Sequence, residues 1–259
     1  MKRKKIEEKK EKKELSAEKI LKNINEFEKF NNYRKDILEK FDLIHCNSQI
    51  AKEVYDKYIN NEKIVVPITL SDIKDNRNLR EKKENEKIKI GYIGSKDLYK
   101  GLNFLLESIR ILSKKNNNYE LYLYGDDFSD LSFENELNCY KKGRYLRENL
   151  KDIMDELDLL IVPSIWKETF GFITLESLSY GVPVMVSKFV GSKEIIKKID
   201  SSCIFNLDNI ELYKKLEFFI ENKEYRKKLI EKFKNTKINF EIENHVKEIV
   251  KVYEDMSNS

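Results

Sequence analysis

The chain has 259 residues, 40% hydrophobic and 37% charged, which is length for one large domain, or one full domain and part of another, with a core under a surface rich in Lys and Glu. A formal net charge of only +4 gives no footing for nucleic acid as a partner, and no apolar run approaches the length of a membrane span. Three widely spaced cysteines, Cys46, Cys139 and Cys203, form no disulfide framework or zinc pattern and suit a reducing, cytoplasmic setting.

The basic excess sits at the start, in "MKRKKIEEKKEKK". A solvated, frayed helix fits it, and so does peripheral contact with an anionic membrane surface, which would be the inner face for a cytoplasmic protein. No apolar stretch follows that would make it a secretory signal. Residues 1 to about 40 read as helix, with Ile20, Leu21, Ile24, Phe27 and Phe30 at helical spacing. "DLIHC" (42–46) reads as a short strand and "QIAKEVYDKYI" as an amphipathic helix capped by Asn47 or Ser48. "KIVVP" reads as a second strand, stopped by Pro67, and the charged stretch 71–86 as a linker or surface excursion.

From residue 87 the pattern becomes regular. "KIKIGYIG" is a strand ending in glycine, "GLNFLLESIRILSKK" a helix, "YELYLYG" a strand, "CYKKGRYL" a strand edge and "RENLKDIMDEL" a helix. "DLLIVPS" is apolar almost throughout, as a buried strand is. "GFITLESLSY" is a helix stopped by Gly181 and Pro183, followed by strand "VPVMVS", helix "SKEIIKKI" and short strand "SCIFN". Helices near 209–221, 223–236 and 241–255 finish the chain. Strands alternating with helices from 87 to 205 predict an α/β fold with a parallel sheet covered on both faces. In such sheets, ligands bind at the carboxyl ends of the strands.

Two stretches stand at those ends. The first strand runs through Gly91 and Gly94 into "SKDLYKG" and a helix. Glycines there admit a ligand to the backbone, and a helix start with lysines attracts phosphate; a purely steric use of the glycines fits equally. The second stretch follows "DLLIVPS". Glu168 lies in the loop, a helix begins near Gly171, and the amides of Phe170 to Thr174 are unsatisfied donors. Such amides hold a diphosphate. Glu176 lies roughly 7 Å further along that helix. Two carboxylates flanking an anion site are suited to hydroxyls, which a sugar nucleotide carries on both sides of its diphosphate. A solvated Glu168 and a surface Glu176 are the competing reading.

"ETFGFITLES" has the E-x7-E spacing of retaining glycosyltransferases with the GT-B fold. "PSIWKETFGFITLESLSYGVPVMVSKFVGSKEII" resembles the donor-binding segment of glycosyltransferase family 4, the group 1 glycosyl transferases. "GYIGSKDLYKGLNFLLESIRIL" resembles that family's first C-terminal strand, phosphate loop and helix, "LYLYGDD" its next strand, and "LDLLIVPS" its approach to the motif. The likeness covers about 87–255 and, less sharply, reaches back to about 33. It implies a Rossmann-like, doubly wound sheet, the C-terminal half of a GT-B fold. It also implies that Glu168 holds hydroxyls of the donor sugar and Glu176 those of the ribose, with the amides of Phe170, Gly171, Phe172 and Ile173 touching sugar and diphosphate. Lys100 matches the family's phosphate-binding lysine, and Arg144, Tyr145 and Leu146 fall where the base is contacted. The arginine that commonly follows the glycine at Gly94 is replaced by Ser95, with Lys96 next; lysine lacks the arginine fork.

The resemblance thus implies a hexosyltransferase-like, retaining transfer from a nucleotide-diphosphate sugar to a saccharide or lipid-linked acceptor, with no obligatory metal or other cofactor. Glu168 and Lys100 are the expected catalytic pair. The expected organisation is 1–70 as a helical N-terminus with a remnant of the acceptor-side domain, 71–86 as linker, 87–240 as the nucleotide-sugar domain and 241–259 as a helix returning toward the N-terminal part. The family's glycine-rich loop and N-domain histidine have no counterpart here, and His45 reads as structural. The acceptor side is therefore expected on a separate polypeptide or to be missing. A non-catalytic sugar-nucleotide module, an inactive fragment and a generic nucleotide-binding regulator remain as alternatives.

Overall fold

The computed structural model describes residues 22–78, 87–132 and 137–258. The basic N-terminus and the second half of the expected linker, 79–86, lie outside the described residues. The chain divides into two compact units, Met1–His45 with Glu53–Ile64, and Cys46–Lys52 with Val65–Ser259.

In the first unit residues 22–38 form helix α1. Strands β1 (Leu43–Cys46) and β2 (Glu62–Val65) pair in a two-stranded sheet, and helix α2 (Gln49–Tyr55) lies between them in sequence. Asn61 closes the end of α1, its Nδ2 donating to the carbonyls of Leu38 and Phe41 at 3.2 and 2.6 Å. Such donors satisfy carbonyls that the last helical turn leaves open. The helical spacing in α1 is real, but Ile24, Phe27, Phe30, Tyr33 and Ile37 are exposed.

The second unit is built on six strands: β3 (Ile88–Ile93), β4 (Tyr119–Tyr124), β5 (Cys139–Gly143), β6 (Leu159–Val162), β7 (Val184–Ser187) and β8 (Ile204–Phe205). Their order is β5-β4-β3-β6-β7-β8, every pair parallel. The order reverses direction at β3 and β6, so a crevice opens between their carboxyl ends. Strands β6 and β7 are wholly buried, which is why they read as continuous apolar runs. The connecting helices are α3 (Leu102–Ser113), α4 (Leu150–Glu156), α5 (Phe172–Ser179) and α6 (Lys193–Ile199). By the right-handed crossover rule, connections that run in opposite directions across the sheet put their helices on opposite faces.

Helices α7 (Asn209–Glu221), α8 (Lys223–Asn235) and α9 (Ile242–Ser257) complete the unit. Asp208 caps α7 by accepting from the amides of Ile210 and Glu211, and Asn222 caps α8 by accepting from that of Tyr225. Arg77 ties the segment before β3 to the end of α8, donating to Thr236 O at 2.6 Å and lying over Phe240. Among the described residues, no helix is long and apolar enough to cross a membrane.

Two expected boundaries shift near the crevice. Strand β5 stops at Gly143, three residues before the expected end, because Gly143 turns to φ +75. Helix α4 begins at Leu150, since Arg147–Asn149 form a tighter 3-10 turn in which Asn149 Oδ1 accepts from the Leu146 amide. The freed segment 144–146 becomes a loop at the mouth of the crevice.

Candidate functional site

The first wall comes from the turn after β3. Gly94 donates to Tyr124 O at 2.9 Å, and Gly125, at φ +108, would place a Cβ 2.9 Å from Gly94 N and O. Only glycine allows the ends of β3 and β4 to come so close. The loop is then fixed by its own side chains. Tyr92 donates its hydroxyl to Ser95 O at 2.5 Å, and Asp97 Oδ2 accepts from Ser95 Oγ at 2.6 Å and from Tyr99 at 2.9 Å. Burial, and next to it the Glu168 carboxylate, pushes the Tyr92 phenol well above its usual range, so it stays a donor. A 3-10 turn, Leu98–Lys100, ends at Gly101 with φ +76, where a Cβ would lie 1.9 Å from Pro163 O. The loop is thus seated on the end of β6, and Lys100 Nζ reaches the carboxylate of Glu168.

The second wall follows β6. Ser187 donates to Ser164 O at 2.5 Å, Glu168 N–H to Phe189 O at 2.9 Å, and Ser192 N–H to Phe170 O at 2.7 Å. These bonds lay 164–170 along 187–192 and hold Glu168 away from solvent, its side chain 11% exposed. Gly171 has φ +89 and serves as N-cap of α5, with no side-chain cap. The first turn of α5 therefore offers backbone N–H groups to an acceptor from outside. Glu176, one turn on, is 6% exposed. Its Oε1 accepts from Arg147 Nη1 at 2.8 Å. Burial raises the Glu176 carboxyl above its usual range, and the Arg147 charge opposes part of that rise.

The two walls enclose a cleft of about 480 Å³. Ten of the fourteen predicted residues line it: Gly94, Ser95, Lys100, Arg144, Tyr145, Glu168, Gly171, Phe172, Ile173 and Glu176. The other four do not. Lys96 turns away, its Nζ 3.0 Å from Asp130, so it does not stand in for the arginine expected after Gly94. Leu146 is exposed, Phe170 is buried beside Phe172, and Thr174 is fully buried. Thr174 Oγ1 has no hydrogen-bond partner among the described residues. Sequence reasoning missed Tyr92 and Gly125, and also Arg147 with Asp72, which pairs with its Nε. Only Gly125 had a signal, as the glycine ending "LYLYG".

Chemically, the cleft offers two cations, Lys100 and Arg144, and, along the second wall, two shielded carboxylates, Glu168 and Glu176, on either side of an uncapped helix start. A phosphate, flanked by hydroxyl-bearing groups on both sides, matches the set.

The family described as "Glycosyl transferases group 1" matches residues 73–236. A protein from Klebsiella pneumoniae, described as an uncharacterized 41.2 kDa protein in cps region, is 30% identical over 128 residues, covering 49% of this chain and 35% of that protein. The uncharacterized glycosyltransferase MJ1178 of Methanocaldococcus jannaschii is 25% identical over 224 residues, covering 84% of this chain and 60% of that one. The match thus spans between about a third and three fifths of the length of these relatives. Among solved structures, Anabaena HepE in complex with UDP and glucose superposes with a TM-score of 0.66 at 17% identity, covering 86% of this chain and 66% of that one.

Proposed function

The chain belongs to the group 1 glycosyl transferases, and from that membership, with a fold shared with GT-B glycosyltransferases such as HepE, we propose that its cleft binds a nucleotide-diphosphate sugar and serves as the donor half of a retaining glycosyl transfer. The observation that carries this is the convergence of Lys100, Glu168, the open start of α5 and Glu176 on one cleft. Glu168 takes hydroxyls of the sugar, the amides of Phe172 and Ile173 with Lys100 take the diphosphate, and Glu176 takes the ribose. Arg144 and Tyr145 border the base.

Without ligand, Lys100 and Glu168 neutralise each other. Diphosphate draws the ammonium to itself and frees Glu168 for the sugar. In transfer, the bond from the anomeric carbon to the diphosphate oxygen breaks and one from the acceptor oxygen forms on the same face. The acceptor hydroxyl proton leaves with the nucleoside diphosphate. Lys100 and the α5 amides stabilise the charge that grows on the leaving group, which is the kind of fixed donor set that lowers such barriers without a metal. Acceptor-side groups come from a second domain or polypeptide that binds a saccharide or lipid-linked acceptor.

Calorimetric titration of the chain with UDP, GDP and ADP, and with the glucosyl form of each, tests this. UDP and UDP-glucose come first, because the HepE structure holds UDP and glucose. One sugar nucleotide should bind more tightly than its own nucleoside diphosphate. No binding across the panel, or none that gains from the sugar, would overturn the reading.

A further inference from the structure

Arg147 joins two acidic groups that sit far apart in sequence. Its Nη1 donates to Glu176 Oε1 at 2.8 Å, and its Nε pairs with Asp72, in the turn that precedes β3. Glu176 is nearly buried, whereas about half of the Arg147 and Asp72 side chains is exposed. Glu176 also borders two cavities, the donor cleft and a second of about 230 Å³ lined by Asp72, Asn76, Arg147, Ser179 and Tyr180 among others. The arginine stands at the second cavity and takes one carboxylate oxygen. Oε2 has no hydrogen-bond partner among the described residues.

We propose that Arg147, braced by Asp72, is the positioning residue for Glu176: it holds Oε1, keeps the carboxylate charged and leaves Oε2 for the ribose hydroxyls of a bound nucleotide. This rests on the donor reading given above. A carboxylate at 6% exposure is driven toward its neutral form, and a neutral carboxyl is a poorer acceptor for two hydroxyls. The groups facing Glu176 are Arg147, Asp72, Tyr145 and Tyr180. Burial pushes both phenols up, so they stay uncharged, and Asp72 adds a negative charge. Arg147 supplies the positive charge that opposes burial. An arginine suits the task because its planar fork holds Glu176 and Asp72 at once in a fixed geometry, which the point charge of a lysine lacks. Asp72, in a stretch that reads as linker, thereby becomes part of the donor site.

The experiment titrates the full chain with the tightest of UDP, GDP and ADP and with its 2′,3′-dideoxy form, from about pH 5.5 to about pH 8.5. The wild type should prefer the ribonucleotide by about tenfold or more. Arg147→Ala should lose about tenfold of that preference at neutral pH while binding the dideoxy form as the wild type does. Removing the cation raises the Glu176 carboxyl further, and a carboxyl ionises above its pKa, so the lost preference should return as pH rises. Arg147→Lys should recover part of it. An unchanged preference and pH profile in Arg147→Ala would overturn the proposal, as would tighter ribonucleotide binding, which would make the arginine a blocker. If Arg147→Ala also lost the dideoxy form through damage to the fold, Asp72→Asn decides: it should lower the preference by a smaller factor with dideoxy affinity intact, and no change overturns the proposal. A wild type without nucleotide binding, or without ribose preference, would instead sink the donor reading and this with it.

Discussion

Gly171 separates Glu168 from α5 with almost no space to spare. At φ +89, a Cβ would lie 2.9 Å from Glu168 Oε2 and 2.9 Å from Val190 Cγ1. Gly143 has a similar φ of +75, yet a Cβ there meets nothing closer than Asp126 O at 4.0 Å. The two positions therefore separate backbone strain from crowding. Gly143→Ala should cost about 1–2 kcal/mol, the left-handed penalty alone, read from the denaturant midpoint. Gly171→Ala should cost more than that and weaken sugar-nucleotide binding, since Glu168 or Val190 must move. Equal costs would show that the Glu168–Gly171 approach carries no constraint. The two glutamates were singled out by the family resemblance, their spacing alone leaving a solvated reading open, and their burial was not legible. Six consecutive residues of α5, Thr174 to Ser179, are buried, so an amphipathic pattern that would have put Glu176 in water does not apply. Arg147 could not be read either: its partner is 29 residues away and reached only because a 3-10 turn precedes α4.

Helix α5 is the element on which the donor reading turns. Gly171 caps it without a side chain, so its first amides have no partner from a capping group and exchange readily with solvent. A bound diphosphate should slow hydrogen exchange in a peptide covering 170–176 and leave one covering α7 unchanged. Equal protection in both, or none in the first, would contradict binding at the helix start. The strands and helices around α5 were plain in the sequence, because the buried parallel strands β6 and β7 are apolar runs and α5 itself is stopped by Gly181 and Pro183. The expected end of β5 at Leu146 missed because one glycine, Gly143, turns the chain out of the sheet. That turn matters to the site, for it delivers Arg144 and Tyr145 to the cleft.

At the scale of the molecule, the candidate cleft sits at the strand ends of a parallel sheet, and the chain's match spans between about a third and three fifths of its relatives' length. Order along the chain made the α/β architecture legible from residue 87 onward. Which side chains meet across the crevice was less so, since that depends on how loops from β3, β5 and β6 fold over the strand ends. The proposed division of labour puts donor recognition here and acceptor recognition elsewhere, with Glu168 as the residue that senses the sugar. Its test is calorimetry on wild type and Glu168→Ala with UDP-glucose and UDP, or the best pair from the panel. The wild type should gain from the sugar, and Glu168→Ala should lose this gain, about tenfold for a hydroxyl bound to a charged acceptor, while keeping its affinity for the nucleoside diphosphate. A variant that retains the full gain from the sugar would contradict that role for Glu168.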